Sequence, residues 1–179
     1  MQVKQIVLIT GGARSGKSGY AEERADDAGA RLLYVATAEA KDQEMGERIA
    51  DHKKRRGKRW ITVEEPIELA GALLRYRGQL DCVVVDCLTL WLSNLLIRRD
   101  EKYAAKQVED LVEKLPQFDF HIFFVTNEVG WAVVPDNPLA RKFRDLSGWT
   151  NQRIAKAADE VVLMVAGLPV IVKRGKTCS

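Results

Sequence analysis

Residues 3–18 read VKQIVLITGGARSGKS, a nearly continuous apolar run rich in β-branched side chains that breaks at once into glycines. An apolar run without strict alternation suits a strand buried on both faces, as in a parallel sheet. The next eight residues, 11-GGARSGKS-18, satisfy G-x-x-x-x-G-K-[ST] and lie where a strand should pass into a helix over 17–28. In that context the glycines let backbone N–H groups and the helix N-terminus close around a phosphate. Lys17 is then expected to reach the β and γ phosphates and Ser18 to ligate Mg²⁺. A functionless glycine-rich turn is the other reading, and the full motif in the right element order argues against it. Gly11, Gly12, Ala13, Arg14, Ser15, Gly16, Lys17 and Ser18 are therefore nucleotide-binding candidates, and the chain is expected to bind a nucleoside triphosphate.

Working outward, RLLYVAT (31–37), LDCVVVDCLT (80–89) and HIFFVTN (121–127) read as further buried strands, and RWITVEE (59–65) as a short one. Helices are expected over 66–76, over 100–115 up to Pro116, and over about 138–158. Asp42 suits the cap of another helix, in which Met45, Ile49 and His52 share a face. The terminal EVVLMVAGLPVIVK (160–173) turns at Gly167 into a hairpin. The fold class that follows is α/β: a mostly parallel P-loop sheet of the RecA-like kind, flanked by helices and edged by an antiparallel C-terminal hairpin. Ligands of such sheets bind beyond the carboxyl ends of the strands.

At 179 residues with 46% apolar composition, one P-loop domain spanning 1–179 is expected. The net charge of +3 is too small for a general polyanion binder, so any basic function must be local. The N-terminal apolar run lacks a cleavage site and nothing approaches membrane-span length, so a cytoplasmic location without a membrane span is expected. The three cysteines, Cys82, Cys87 and Cys178, show no C-x-x-C spacing and read as structural.

Two further positions carry chemistry. Asp86 ends a strand of apolar residues, where an unpaired acid would be costly and a P-loop protein keeps a carboxylate for its magnesium shell. A satisfied structural acid is the alternative. His52, one of two histidines, precedes six basic side chains in seven positions, KKRRGKR (53–59). Spacing alone favours a packed core histidine. Nearby cations, however, disfavour the imidazolium and keep the ring a neutral nucleophile at pH 7. The same cations suit phosphate oxygens as charge shifts onto pyrophosphate. No stacking platform accompanies the basic run beyond Trp60, so no nucleic-acid partner is expected.

At the motifs TGGARSGKS (10–18), YVAT (34–37), DQEMGERIADHKKRR (42–56), W-x-T-x-E (60–64), DCLTLWLSNLL (86–96) and VTNEVGWAVVPDNPLARKFRDLSGWTNQRIAKAADEV (125–161), the chain resembles the bifunctional adenosylcobinamide kinase / adenosylcobinamide-phosphate guanylyltransferases of cobalamin biosynthesis. The resemblance implies phosphorylation of adenosylcobinamide with ATP or GTP. It further implies GMP transfer from GTP through a guanylylated histidine to adenosylcobinamide phosphate, with release of pyrophosphate. Within it, His52 matches the catalytic histidine. Nucleotide contacts fall on Gly11 to Ser18, on Thr37, Ala38 and Glu39, on Lys53, Lys54, Arg55 and Arg56, and on Glu64 and Asp86; Ser18 and Asp86 serve the metal. A corrinoid substrate and a homotrimer are implied as partners. Trp131 is bulkier than the family pattern suggests. The polar block containing Asn127, Glu128, Arg141, Arg144, Asp145 and Asn151 reads either as a capping and ion-pair network between subunits or as substrate-binding. Competing functions are a plain small-molecule kinase with a structural His52, and a regulatory nucleotide-binding module whose basic run contacts nucleic acid.

Overall fold

The structure is a computed structural model that describes residues 4–39, 57 and 59–175. His52 and the basic residues Lys53 to Arg56, the helix expected after Asp42, and Cys178 lie outside the described residues. Seven strands alternate with helices: β1 (Ile6–Gly11), α1 (Lys17–Ala28), β2 (Leu32–Ala36), β3 (Trp60–Glu64), α2 (Leu69–Leu74), β4 (Cys82–Asp86), α3 (Leu88–Arg98), α4 (Glu101–Lys114), β5 (His121–Val125), α5 (Pro138–Ala157), β6 (Glu160–Val165) and β7 (Leu168–Lys173). They form one sheet in the order β3-β2-β4-β5-β1-β6-β7. All neighbours pair in parallel except β6 and β7, the antiparallel hairpin expected around Gly167.

Every residue of β1, β2 and β5 is buried, because helices cover both faces. Alternate residues feed two cores, as strand pleating requires. Leu8, Val83, Val85, Ile122 and Phe124 pack with α2 to α5, around the fully buried Trp91. Val7, Ile9, Val84, Phe123 and Val162 pack with Ala21 and Ala25 of α1. Two helix starts are capped by side chains: Asp100 accepts from the N–H of Tyr103 at 2.7 Å, and Asn137 from Leu139 at 2.8 Å with Pro138 in the first turn.

The strand expected over 80–89 is shorter than its apolar run. It stops at Asp86, and the next apolar residues wind into α3, which periodicity does not reveal. Leu88, Trp91, Leu92, Leu95 and Leu96 are all buried, as are Thr89 and Asn94, so α3 shows no broad polar face. Its polar members are bonded inward. Asn94 donates to the carbonyls of Thr37 at 2.8 Å and Pro66 at 3.4 Å, holding the end of β2 against α3. No helix among the described residues is long and apolar enough to cross a membrane.

Candidate active site

The carboxyl ends of the parallel strands collect Gly11–Ser18, Thr37–Glu39, Glu64, Asp86 and Glu128 along one edge of the sheet. Of these, the 11–18 loop is the most tightly specified. Gly16 caps α1 at φ +94, and Gly11 sits at φ +147, where a Cβ would come 2.5 Å from the carbonyl oxygen of Met164. The C-terminal hairpin thus packs directly on the loop. Its Gly167 N–H donates to the Ser15 carbonyl at 3.1 Å. Ser15 Oγ is buried without a hydrogen-bond partner, a free donor inside the loop of the kind a phosphate oxygen satisfies.

Lys17 is only 7% exposed, and its Nζ reaches back to donate to the Gly12 carbonyl at 2.6 Å. Burial pushes its pKa below the ordinary lysine value, with Cys87 and Asp86 pulling the other way. Burial holds the Cys87 thiol up at about 12, so it is neutral at pH 7 and Asp86 supplies the actual counter-charge. The Asp86 Oδ2 accepts from Tyr34 Oη at 2.7 Å, which fixes the carboxylate at the mouth of the sheet. Asp86 is in register with Val125, and Val125 with Ile9 of β1, so acid and loop stand at one level two strands apart. A hydroxyl on Ser18 and a carboxylate on Asp86 are hard oxygen donors of the sort Mg²⁺ takes together with substrate phosphates and water. The described residues contain no cluster of three or more His, Cys, Asp or Glu that could hold a metal alone.

The β2 end is built differently. Thr37 is fully buried, and its hydroxyl donates to the Cys87 carbonyl at 2.7 Å and accepts from the Cys87 N–H at 2.8 Å. Its side chain therefore ties β2 to β4. Glu39 forms an ion pair with Arg98 of α3. Glu64 ends β3 opposite Ala36, at the edge of the sheet. At about 4.8 Å per strand, β2 lies roughly 14 Å from β1 and β3 roughly 19 Å. The edge thus carries two groups of candidates: the loop with Asp86, and the β2–β3 side, from which the segment containing His52 departs after Glu39.

A network that the sequence does not reveal joins the two central strands to α5. Thr10 Oγ1 donates to Glu128 Oε1 at 2.5 Å, and Asn151 Nδ2 donates to the same oxygen at 3.3 Å. Asn151 Oδ1 accepts from Thr126 Oγ1 at 2.9 Å, and the Asn127 N–H donates to Thr89 Oγ1 at 2.9 Å. Asn151, Glu128 and Asn127 of the polar block thus bond within the chain. Arg141 donates to the Pro135 and Asp136 carbonyls at 2.9 and 2.6 Å, closing the loop before α5. Arg144 and Asp145 line a separate cavity of about 410 Å³ with Gly130, Gly148, Trp149 and Gln152.

A parallel sheet with a buried lysine in a G-x-x-x-x-G-K-S loop defines a P-loop nucleotide-binding protein of the RecA-like kind. Its likeness to the crystal structure of the flagellar accessory protein FlaH from Methanocaldococcus jannaschii bears on the fold alone: TM-score 0.57 at 12% identity, covering 96% of this chain and 79% of that one. Residues 7–172 match the cobinamide kinase / cobinamide phosphate guanyltransferase family (CobU), and the chain belongs to that family. The bifunctional adenosylcobalamin biosynthesis protein CobP of Pseudomonas aeruginosa is 46% identical over 166 residues, 93% of this chain and 96% of its own length. The bifunctional adenosylcobalamin biosynthesis proteins CobU of Salmonella typhimurium and Escherichia coli are 39% and 35% identical, each over 94% of this chain and 99% of their own length.

Proposed function

We propose that the protein phosphorylates the aminopropanol hydroxyl of adenosylcobinamide with ATP or GTP. It then takes GMP from GTP onto His52, releasing pyrophosphate, and passes it to adenosylcobinamide phosphate to give adenosylcobinamide-GDP. The observation that carries this reading is the assembled phosphate loop of a family member, with Lys17 buried behind it and Asp86 beside it. Backbone N–H groups of residues 11–18 cradle the phosphates, and the Lys17 ammonium exchanges the Gly12 carbonyl for their oxygens. Ser18 and Asp86 would hold Mg²⁺, which when bound neutralises charge on the transferring phosphates.

The guanylyl step belongs to the β2–β3 side. Lys53, Lys54, Arg55 and Arg56 would clamp the triphosphate while the neutral imidazole of His52 attacks the α phosphorus, with Thr37 to Glu39 and Glu64 on the nucleotide side. Thr37 contributes through its backbone and by holding β2 in place, since its hydroxyl is bonded to Cys87. The enzyme is expected to act in the cytoplasm as a homotrimer.

The test is to incubate the protein with Mg²⁺ and GTP labelled at the α or the γ phosphate, then denature it. Acid-labile, alkali-stable α label on the wild type and none on His52→Ala supports the guanylylated histidine. Absence of α label on the wild type, with γ phosphate still passing to adenosylcobinamide, leaves a plain kinase and overturns the role of His52.

A further inference from the structure

We infer that Glu128 is the general base of the phosphorylation step, taking the proton from the acceptor hydroxyl as it attacks the γ phosphorus. The inference rests on the kinase half of the function proposed above. Two contacts place Glu128 at the γ-phosphate end of the loop. Lys17, which serves the β and γ phosphates, extends its Nζ to the Gly12 carbonyl at the start of the loop. Glu128 is tied to the same end: its N–H donates to the Gly11 carbonyl at 3.2 Å, and its Oε1 accepts from Thr10 at 2.5 Å.

The carboxylate is held by one oxygen only. Oε1 receives the Thr10 hydroxyl and the Asn151 amide, whereas Oε2 makes no hydrogen bond among the described residues. A group that only braced the loop would need nothing beyond the neutral acceptor that a glutamine supplies. An acid beside a triphosphate repels its oxygens, so a phosphate-binding role is excluded, whereas a proton-accepting role is suited by the free oxygen. A rigidly oriented acceptor atom is what general-base catalysis asks for.

The acceptor can approach from this side. Directly after Glu128 the chain continues through Trp131, Val133 and Val134, which are 71%, 91% and 58% exposed, an apolar stretch that starts three residues beyond the carboxylate. As a hydroxyl oxygen forms its bond to the γ phosphorus, the bond to the β–γ bridging oxygen breaks and its electron pair leaves on the nucleoside diphosphate. The hydroxyl proton passes to Glu128 Oε2 and from there to solvent.

Neither guanylyl step removes a hydroxyl proton, so the protein's two activities provide an internal control. In Glu128→Gln the kcat for phosphorylation of adenosylcobinamide should fall roughly 10²-fold or more. The KM for ATP and the α-label incorporation from GTP should stay within about twofold, and the acidic limb of the kcat–pH profile should disappear. Thr10→Val, which frees Oε1, should lower kcat less and keep that limb. Equal loss of both activities in Glu128→Gln would show that the negative charge organises the site as a whole, recovery at raised Mg²⁺ a metal-shell role, and an unchanged kcat a brace that glutamine replaces; each overturns the assignment. If the wild type itself transfers no γ phosphate to adenosylcobinamide, the kinase reading fails first.

Discussion

Lys17 shows how one residue's environment prepares it for an anion. A buried ammonium is costly: loss of water lowers its pKa, and the Asp86 carboxylate offsets that only in part while the Gly12 carbonyl accepts its hydrogen bond. A triphosphate stabilises the charged form, so binding raises the pKa again. The sign follows from linkage: affinity is full below the free-state pKa and falls as pH rises through it. Because that pKa lies below 10.5, GTP affinity should begin to fall at a lower alkaline pH than an unperturbed lysine would give, with protons taken up on binding in that window. Calorimetry in buffers of different ionisation enthalpy reads the uptake directly. Affinity that stays flat up to 10.5 would mean that Lys17 is solvated in the free protein.

At the scale of elements, the hairpin β6–β7 supports the phosphate loop from behind, through Met164 against Gly11 and Gly167 bonded to Ser15. Gly11→Ala forces a methyl group into a backbone carbonyl at a strained φ and should cost about 1–3 kcal/mol of stability. Gly12→Ala meets nothing within 4 Å and should leave the melting temperature within a degree or two while weakening GTP binding. Thermal unfolding of both variants with and without GTP separates the two effects; equal melting temperatures would show that the hairpin contact is slack. Legibility in the sequence divides along the same line. The loop could be read because its chemistry is local, with all eight positions consecutive, and β1, β2, β4 and β5 because burial on both faces leaves near-continuous apolar runs. Helix α3 could not, since burial nearly all round erases its period. The Thr10–Glu128–Asn151 network joins residues 118 and 23 apart in sequence, which only the β5-β1 adjacency brings together. Thr37 was legible as a residue at a strand end, but its engagement with Cys87 depends on β2 lying beside β4.

Among the described residues, the β7 edge of the sheet carries the longest run of exposed apolar side chains. Strand β7 ends the sheet, and on it Leu168, Val170 and Val172 are 70%, 49% and 63% exposed. Leu168 and Val170, two apart, share a face of the strand, and Val172, at the irregularity opposite Val161 and Val162, adds a third exposed apolar side chain to this row. Edge strands are ordinarily blunted with charge or proline; β7 has Pro169, which removes one backbone donor, but the exposed apolar side chains themselves fit a surface that another copy covers. The only charged member of β7, Lys173, is turned to the carbonyls of Ala155, Lys156 and Ala158, so it does not protect the row. The expected homotrimer therefore has a physical candidate for its contact, and light scattering of the purified protein should give three times the mass of the chain. Val170→Lys combined with Val172→Lys places two charges on that row and should shift the mass towards the single chain, with the phosphate loop's affinity for nucleotide retained in the dissociated form. A wild-type mass of one chain would remove the trimer, and an unshifted trimer in the double variant would move the contact to another surface.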